Sequence, residues 1–271
     1  MRGLFRAALS VAAVVMVLPA AALPAVGITG GEVDTTHTNV GFIRFTTVDG
    51  RFRCSGTLIS QTVVLTAGHC TEGPATNVYV SFDDNLQPDP LQAGITPEGK
   101  AAREAHYITG TAHPDPGWTG KLSLSKQHDQ GVVVLDAPPA SSKWPGITPA
   151  PLAPVGFLDG NQGELKNETF TLVGYGVDIG EKKEQIILQA RHSTTSYLKN
   201  VQGEVVVFQI NDKDSKAGGG SCFGDSGGPV FLDGYVLGDA SYVNSFSCNA
   251  TGSYQRVDTV YSREFLDQFL D

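Results

Sequence analysis

Basic residues are in short supply: 19 Lys and Arg stand against 28 Asp and Glu, a net charge of −9 with a pI near 5.1. Binding a phosphate backbone needs a basic surface, so a nucleic-acid role has no electrostatic support. Charged residues reach only 17%, below the usual share of about a quarter. Uninterrupted apolar residues fall short of the roughly 20 needed to cross a bilayer, so no stable membrane insertion is expected of the mature chain. Cysteine is limited to four. No Cys-x-x-Cys or His-x-x-x-His pair occurs, and zinc fails on that spacing. Helical periodicity is nearly absent: only the tail, Asp258 to Asp271, places apolar residues at helical spacing, with Asp258 as a plausible cap.

What the chain does have is turns and β-type runs. It carries 32 Gly and 15 Pro in 271 residues, 41% of them hydrophobic, enough for one sizeable domain or two small packed ones. Apolar and β-branched runs recur at Val40–Thr47, Thr57–Leu65, Val78–Phe82, Val132–Leu135, Thr169–Tyr175, Glu204–Ile210 and Pro229–Ala240, which predicts an all-β protein. The prolines at 138, 139, 145, 149, 151 and 154 form a connector between two groups of strands. The segment 83–127, with Pro88 and Pro90, reads as a loop insertion. Its acidic pair Asp83-Asp84 fits a solvated loop better than a calcium site.

Residues 1–27 read as a secretory leader, with Arg2 and Arg6 before an apolar stretch from Ala7 to about Leu18, then Pro19 and small residues. Ala25-Val26-Gly27 offers small residues for cleavage before Ile28; cleavage after Ala22 would instead leave a short propeptide, 23–27. Export makes the protein secreted and extracellular and favours structural disulfides, for which four cysteines allow three pairings. Asn167-Glu168-Thr169 and Asn249-Ala250-Thr251 are glycosylation sequons.

Three short motifs carry chemistry. Gly224-Asp225-Ser226-Gly227-Gly228-Pro229 sets a serine among small residues, Leu65-Thr66-Ala67-Gly68-His69-Cys70 supplies a histidine, and His128-Asp129-Gln130-Gly131 supplies an acid. A serine hydroxyl needs an imidazole to take its proton and a carboxylate to orient that imidazole. The order His, Asp, Ser differs from the Ser, Asp, His order of the Gly-x-Ser-x-Gly hydrolases. In all three contexts, and across nearly everything from Ile28 onward, the chain resembles the trypsin/chymotrypsin family of serine endopeptidases. His37, His106, His128 and His192 have no such context and read as surface or packing residues.

The resemblance implies two antiparallel six-stranded β-barrels with the active site between them and a C-terminal helix. It divides the chain into the leader (1–27), a first barrel (28–140), the connector (141–155), a second barrel (156–257) and the helix (258–271). It implies a triad of His69, Asp129 and Ser226, with an oxyanion hole from the N–H groups of Gly224 and Ser226. Ser241 supports Asp129, and the disulfides are Cys54–Cys70 and Cys222–Cys248, each worth about 3 kcal/mol on a loop-closure basis. A freed Ile28 ammonium pairs with Asp225 and orders the oxyanion hole. Gly220 forms the floor of the specificity pocket, where a fixed anion would select Lys or Arg, and Val243 and Gly252 form its walls. Small to medium apolar side chains before the scissile bond are therefore expected. Substrates are proteins or peptides, the protein is a monomer, and no metal or cofactor is required. The competing expectation is a catalytically silent homologue that binds a partner protein through the same cleft.

Overall fold

The computed structural model describes residues 28–270 without the stretches 48–49, 73–75, 88, 93–95, 122–126, 180–184, 188 and 215. The expected leader, 1–27, lies outside the described residues, as does Asp271. A two-residue strand, β1 (Glu32–Val33), comes first and joins the far half of the molecule. The near half holds β2 (Val40–Thr47), β3 (Gly50–Leu58), β4 (Val63–Thr66), β5 (Thr76–Ser81), β6 (Ile108–Pro114) and β7 (Gly131–Leu135), closed into a barrel in the order β2-β3-β4-β7-β6-β5.

Alternation along these strands serves two cores at once. From β4 and β7, Val64 and Val133 point into the barrel with Ile43 and Val80. Their neighbours Val63, Leu65 and Val132 point out, against Val173, Phe231 and Val236 of the other half. β4 is consequently buried along its whole length. Each such aliphatic side chain contributes about 1.5–3 kcal/mol on burial, and this shared cluster holds the two halves face to face.

The second half contains β8 (Phe170–Gly174), the hairpin β9 (Val177–Ile179) and β10 (Gln185–Ile187), then β11 (His192–Ser196), β12 (Leu198–Gln202), β13 (Val205–Gln209), β14 (Pro229–Leu232), β15 (Tyr235–Val243) and β16 (Thr251–Arg256). Its main sheet runs β1-β11-β8-β14-β15-β16-β13-β12. β11 and β12 are one stretch of chain interrupted only at Tyr197, pairing with β8 on one side of the bend and β13 on the other. Taken as one bent strand, β11–β12 makes six strands with β8, β14, β15, β16 and β13, joined by six antiparallel ladders.

The segment 83–127 is more than a loop. It contains α1 (Pro97–His106), capped by Thr96, whose side chain accepts from Gly99 N, and the barrel strand β6, paired on both sides. α1 buries only Gly99, so it has no apolar stripe to reveal it. β6 lacks large alternating apolar residues and is a strand because β5 and β7 supply its partners. Asp89 pins the start of the segment, accepting from Arg44, Tyr107, Gln189 and Leu91 N. The connector bears a single helical turn, α2 (Pro139–Ser142), and leads to α3 (Phe157–Leu165). The C-terminal helix α4 (Val260–Leu266) is shorter than the periodicity suggested and is capped by Thr259. Asp258 is committed elsewhere, accepting from Leu158 N and pairing with buried Arg256. No helix among the described residues is long and apolar enough to cross a membrane.

Candidate active site

β4 and β7 run antiparallel with Thr66 opposite Gly131, so the chain leaving β4 and the chain entering β7 emerge side by side. His69 lies on the 3-10 turn Gly68–Cys70 just beyond Thr66, and Asp129 lies two residues before Gly131. A side chain at Gly68 would stand 3.1 Å from Asp129 Oδ1, so glycine lets the two segments meet. Asp129 Oδ1 accepts from His69 N at 2.8 Å, and its Oδ2 lies 2.9 Å from His69 Nδ1. An ionised carboxylate only accepts, so Nδ1 carries the imidazole proton and Nε2 of the neutral ring keeps its lone pair. Ser241 Oγ donates a short hydrogen bond to Asp129 Oδ2. Asp129 is fully buried; the His69 side chain is about one-third exposed.

Ser226 is carried to the same seam by its backbone. Its carbonyl accepts from Ser55 N at 2.8 Å, Ser55 Oγ donates to the Gly224 carbonyl at 3.0 Å, and Gly227 N donates to Ala240 O. Gly227 has φ +79°, and a Cβ there would fall 2.0 Å from Thr66 Oγ1 and 2.7 Å from Ala67 N. Only glycine allows the serine turn to press against the segment that leads into His69. Among the described residues no hydrogen bond joins Ser226 Oγ to His69, a looseness common in unliganded serine–histidine pairs. Trp118 borders the histidine, its ring 6.4 Å from the imidazole and its Nε1 donating to Glu72, so the end of the 83–127 segment flanks the site.

Both disulfides are formed, Cys54–Cys70 beneath His69 and Cys222–Cys248 beside the serine turn. Cys54, His69 and Cys70 form a cluster of metal-ligand type, but both sulfurs are consumed in the disulfide and cannot serve as thiolates.

Ser226 lines a pocket of about 170 Å³ together with Ser221, Cys222, Phe223, Ala240, Ser241, Tyr242 and Val243. Val243 is thus at the wall. Gly220 and Gly252 stand behind it: a Cβ on Gly220 would fall 2.1 Å from Ile210 Cβ, and one on Gly252 2.9 Å from Ser221 Oγ. Among the described residues, no acidic residue lines the pocket. Ser221 and Phe223 belong to the serine loop itself, on either side of Cys222, whereas Ile210 follows β13 and reaches the wall behind Gly220 only through tertiary packing.

Asp225 turns away from the pocket. It is fully buried and accepts from Cys222 N at 2.8 Å and Gly176 N at 2.7 Å. Burial pushes its pKa up to about 7, opposed by those two N–H groups and by the field of Arg53. Ile28 is buried as well. The residue after it is sewn to the wall behind the pocket, Gly220 N donating to Thr29 O at 2.9 Å.

The family model described as Trypsin matches residues 28–263. The chain belongs to the trypsin family. It is similar to a trypsin of Phaedon cochleariae, 29% identical over 203 residues that cover 72% of this chain and 69% of that one. To mast cell protease 8 of Mus musculus it is 28% identical, over 90% of this chain and 91% of that one. The solved structure of HL collagenase shares the fold, with a TM-score of 0.65 at 18% identity over 89% and 98% of the two chains. As a trypsin-family member the protein is a serine endopeptidase, and its substrates are proteins or peptides.

Proposed function

We propose that this trypsin-family protein is a secreted, monomeric endopeptidase that cleaves through an acyl-enzyme formed on Ser226. The observation that carries the reading is the buried Asp129 holding His69 by its Nδ1–H, with the serine turn packed onto the same strand end. Ser226 Oγ attacks the peptide carbonyl while His69 Nε2 takes its proton. The tetrahedral oxyanion is met by the N–H groups of Gly224 and Ser226, where a single donor is worth about 3 kcal/mol of barrier. His69 then protonates the leaving amine, and water repeats the sequence on the ester. Residues 1–27 are the leader, and release of Ile28 supplies the ammonium that neutralises Asp225. The barrel β2–β7 forms one wall of the cleft, and the sheet of 156–257, which residues 28–33 join, forms the other, with 141–155 between them.

Selectivity follows from the pocket. Its volume of about 170 Å³ is below the ~300–1,000 Å³ of sites that take whole small molecules, which suits one side chain. With no carboxylate in its lining and Val243 in its wall, it favours small to medium apolar residues over Lys or Arg.

The silent, partner-binding alternative rests on the lack of a Ser226–His69 hydrogen bond among the described residues, which an active but unliganded pair can also show. Incubating secreted protein and a Ser226→Ala control with a mixed peptide library, with cleavage sites read by mass spectrometry, separates the two. Cuts after Ala, Val or Leu that vanish in the control are the expected result. Identical behaviour of both proteins overturns the endopeptidase mechanism in favour of binding.

A further inference from the structure

We propose that Gln127 is a positioning residue of the proton relay, acting through Ser241 on Asp129; this rests on the catalytic reading above. The side chains form a chain with one allowed direction. Gln127 Nε2 donates a short hydrogen bond to Ser241 Oγ, and Ser241 Oγ donates to Asp129 Oδ2. A serine hydroxyl has one proton and an ionised carboxylate has none to give. Once Ser241 donates to Asp129 it can only accept from Gln127, so the amide must present its NH2 group. The sense of the relay is then set throughout: Gln127 N–H to Ser241, Ser241 O–H to Asp129, His69 N–H to Asp129, leaving His69 Nε2 free to act as base.

Without the amide, the Ser241 hydroxyl could rotate toward other acceptors, and Asp129 would lose a donor. Gln127 is 1% exposed, and its Oε1 is buried with no partner among the described residues. An unsatisfied buried carbonyl costs about 1–3 kcal/mol, so packing alone does not account for an amide here. Gln130, on the other side of Asp129, is the contrast. Its Nε2 donates to Asp239 Oδ1 and its Oε1 accepts from Ser262 on α4. Both ends are satisfied, which is the pattern of a structural tie.

The charged and titratable groups around the relay come from several elements. Asp239 on β15 is fully buried, and its burial, with Asp129 and Asp115 adding repulsion, raises its pKa well above the ordinary carboxylate value. Asp115 follows β6 and takes the Tyr261 hydroxyl of α4. His128, next to Asp129, lies 2.9 Å from Glu204 at the β12–β13 turn. None of these touches Ser241 by hydrogen bond among the described residues, so Gln127 alone supplies its second contact.

The test uses full-length mature protein: wild type, Gln127→Leu, Gln127→Glu, Ser241→Ala and the Gln127→Leu/Ser241→Ala pair. Each is measured for kcat and KM against pH with a peptide substrate, for thermal unfolding, and by NMR titration of isotopically labelled His69. Gln127→Leu is expected to lower kcat roughly 5-fold, the effect of one lost buried hydrogen bond, with KM unchanged within about 2-fold. Asp129 left with fewer donors holds more negative charge, so the His69 midpoint and the acid limb of kcat/KM both move upward. Gln127→Glu adds a second acceptor that one serine proton cannot satisfy, and moves them further. In the Ser241→Ala background, Gln127→Leu adds nothing. Full additivity of the two substitutions, or an unmoved His69 titration in a folded Gln127 variant, overturns the assignment. If Gln127→Leu does not fold, the isosteric Gln127→Glu carries the same test. Absence of Ser226-dependent hydrolysis in wild type would defeat the endopeptidase mechanism, whereas the His69 titration would still decide the role of Gln127.

Discussion

Two fully buried aspartates flank the reacting groups, and they are provided for differently. Asp129 accepts from His69 N, His69 Nδ1 and Ser241 Oγ, three donors converging from two halves of the molecule. Asp225, next to the serine, accepts from two backbone N–H groups and has no ion-pair partner among the described residues. The first carboxylate is complete in the folded chain. The second is placed and desolvated with the field of Arg53 near it but no ion-paired cation among the described residues, and its pKa is pushed up to about 7. On the proposed mechanism, the difference separates a group that orients the base from one that awaits the release of Ile28.

The sharpest way to break the comparison is to remove the charge from each acid in turn. Asp129→Asn should lower kcat by about 10⁴, the magnitude of the template serine protease in which the wrong histidine tautomer results, with KM little changed; steady-state kinetics on any cleaved peptide decides it. Asp225→Asn should leave the uncleaved chain as stable as before or more so at pH 8, while the processed protein loses the partner for its new ammonium and its activity. Denaturant melts before and after processing would show whether the two signs differ.

A pH series sharpens the same point. An acid whose folded pKa lies above its unfolded value binds more protons when folded, so stability falls as pH rises from about 4 through about 7 and is flat above. With a rise from 3.8 to about 7, the uncleaved chain should lose on the order of 4 kcal/mol over that window from this group. Once Ile28 is freed, the ammonium favours the charged carboxylate and the loss should shrink or reverse. Equal pH profiles for cleaved and uncleaved protein would rule out the pairing of Ile28 with Asp225. The smallest effect concerns the pocket: Val243→Gly should shift preference toward aromatic residues by roughly 10-fold or more, within the 1–3 kcal/mol that a methylene or two commands in an apolar slot. Relative kcat/KM for Phe and Val substrates is the measurement.

Much of the β architecture could be read from local pattern. Val40–Thr47 is a strand as its β-branched run suggests. The runs Thr57–Leu65 and Pro229–Ala240 are each broken into two strands, the second at the Asp233-Gly234 turn, where both residues have positive φ. β6 and β11–β12 were illegible: sequences such as Ile-Thr-Gly-Thr-Ala-His-Pro have little intrinsic preference and become strands only where neighbours complete their ladders. α1 was hidden for a related reason, since a helix that buries almost nothing has no stripe. At the site, the motif residues were legible because each sits in a distinctive local context. Gln127, Ile210 and Arg53 have no such context, and only their neighbours in space give them meaning.

By itself the sequence determined the class of chemistry: a serine, a histidine and an acid, each in a setting that few other roles would require, on a chain too poor in helical period and basic charge to be much else. Tertiary structure decided how those groups meet. His69 and Asp129 are 60 residues apart and Ser241 is 112 from Asp129, and nothing local brings them together. The register of β4 on β7 and the close approach of Gly227 to Thr66 do, because strand pairing and close packing act between segments regardless of the chain length between them.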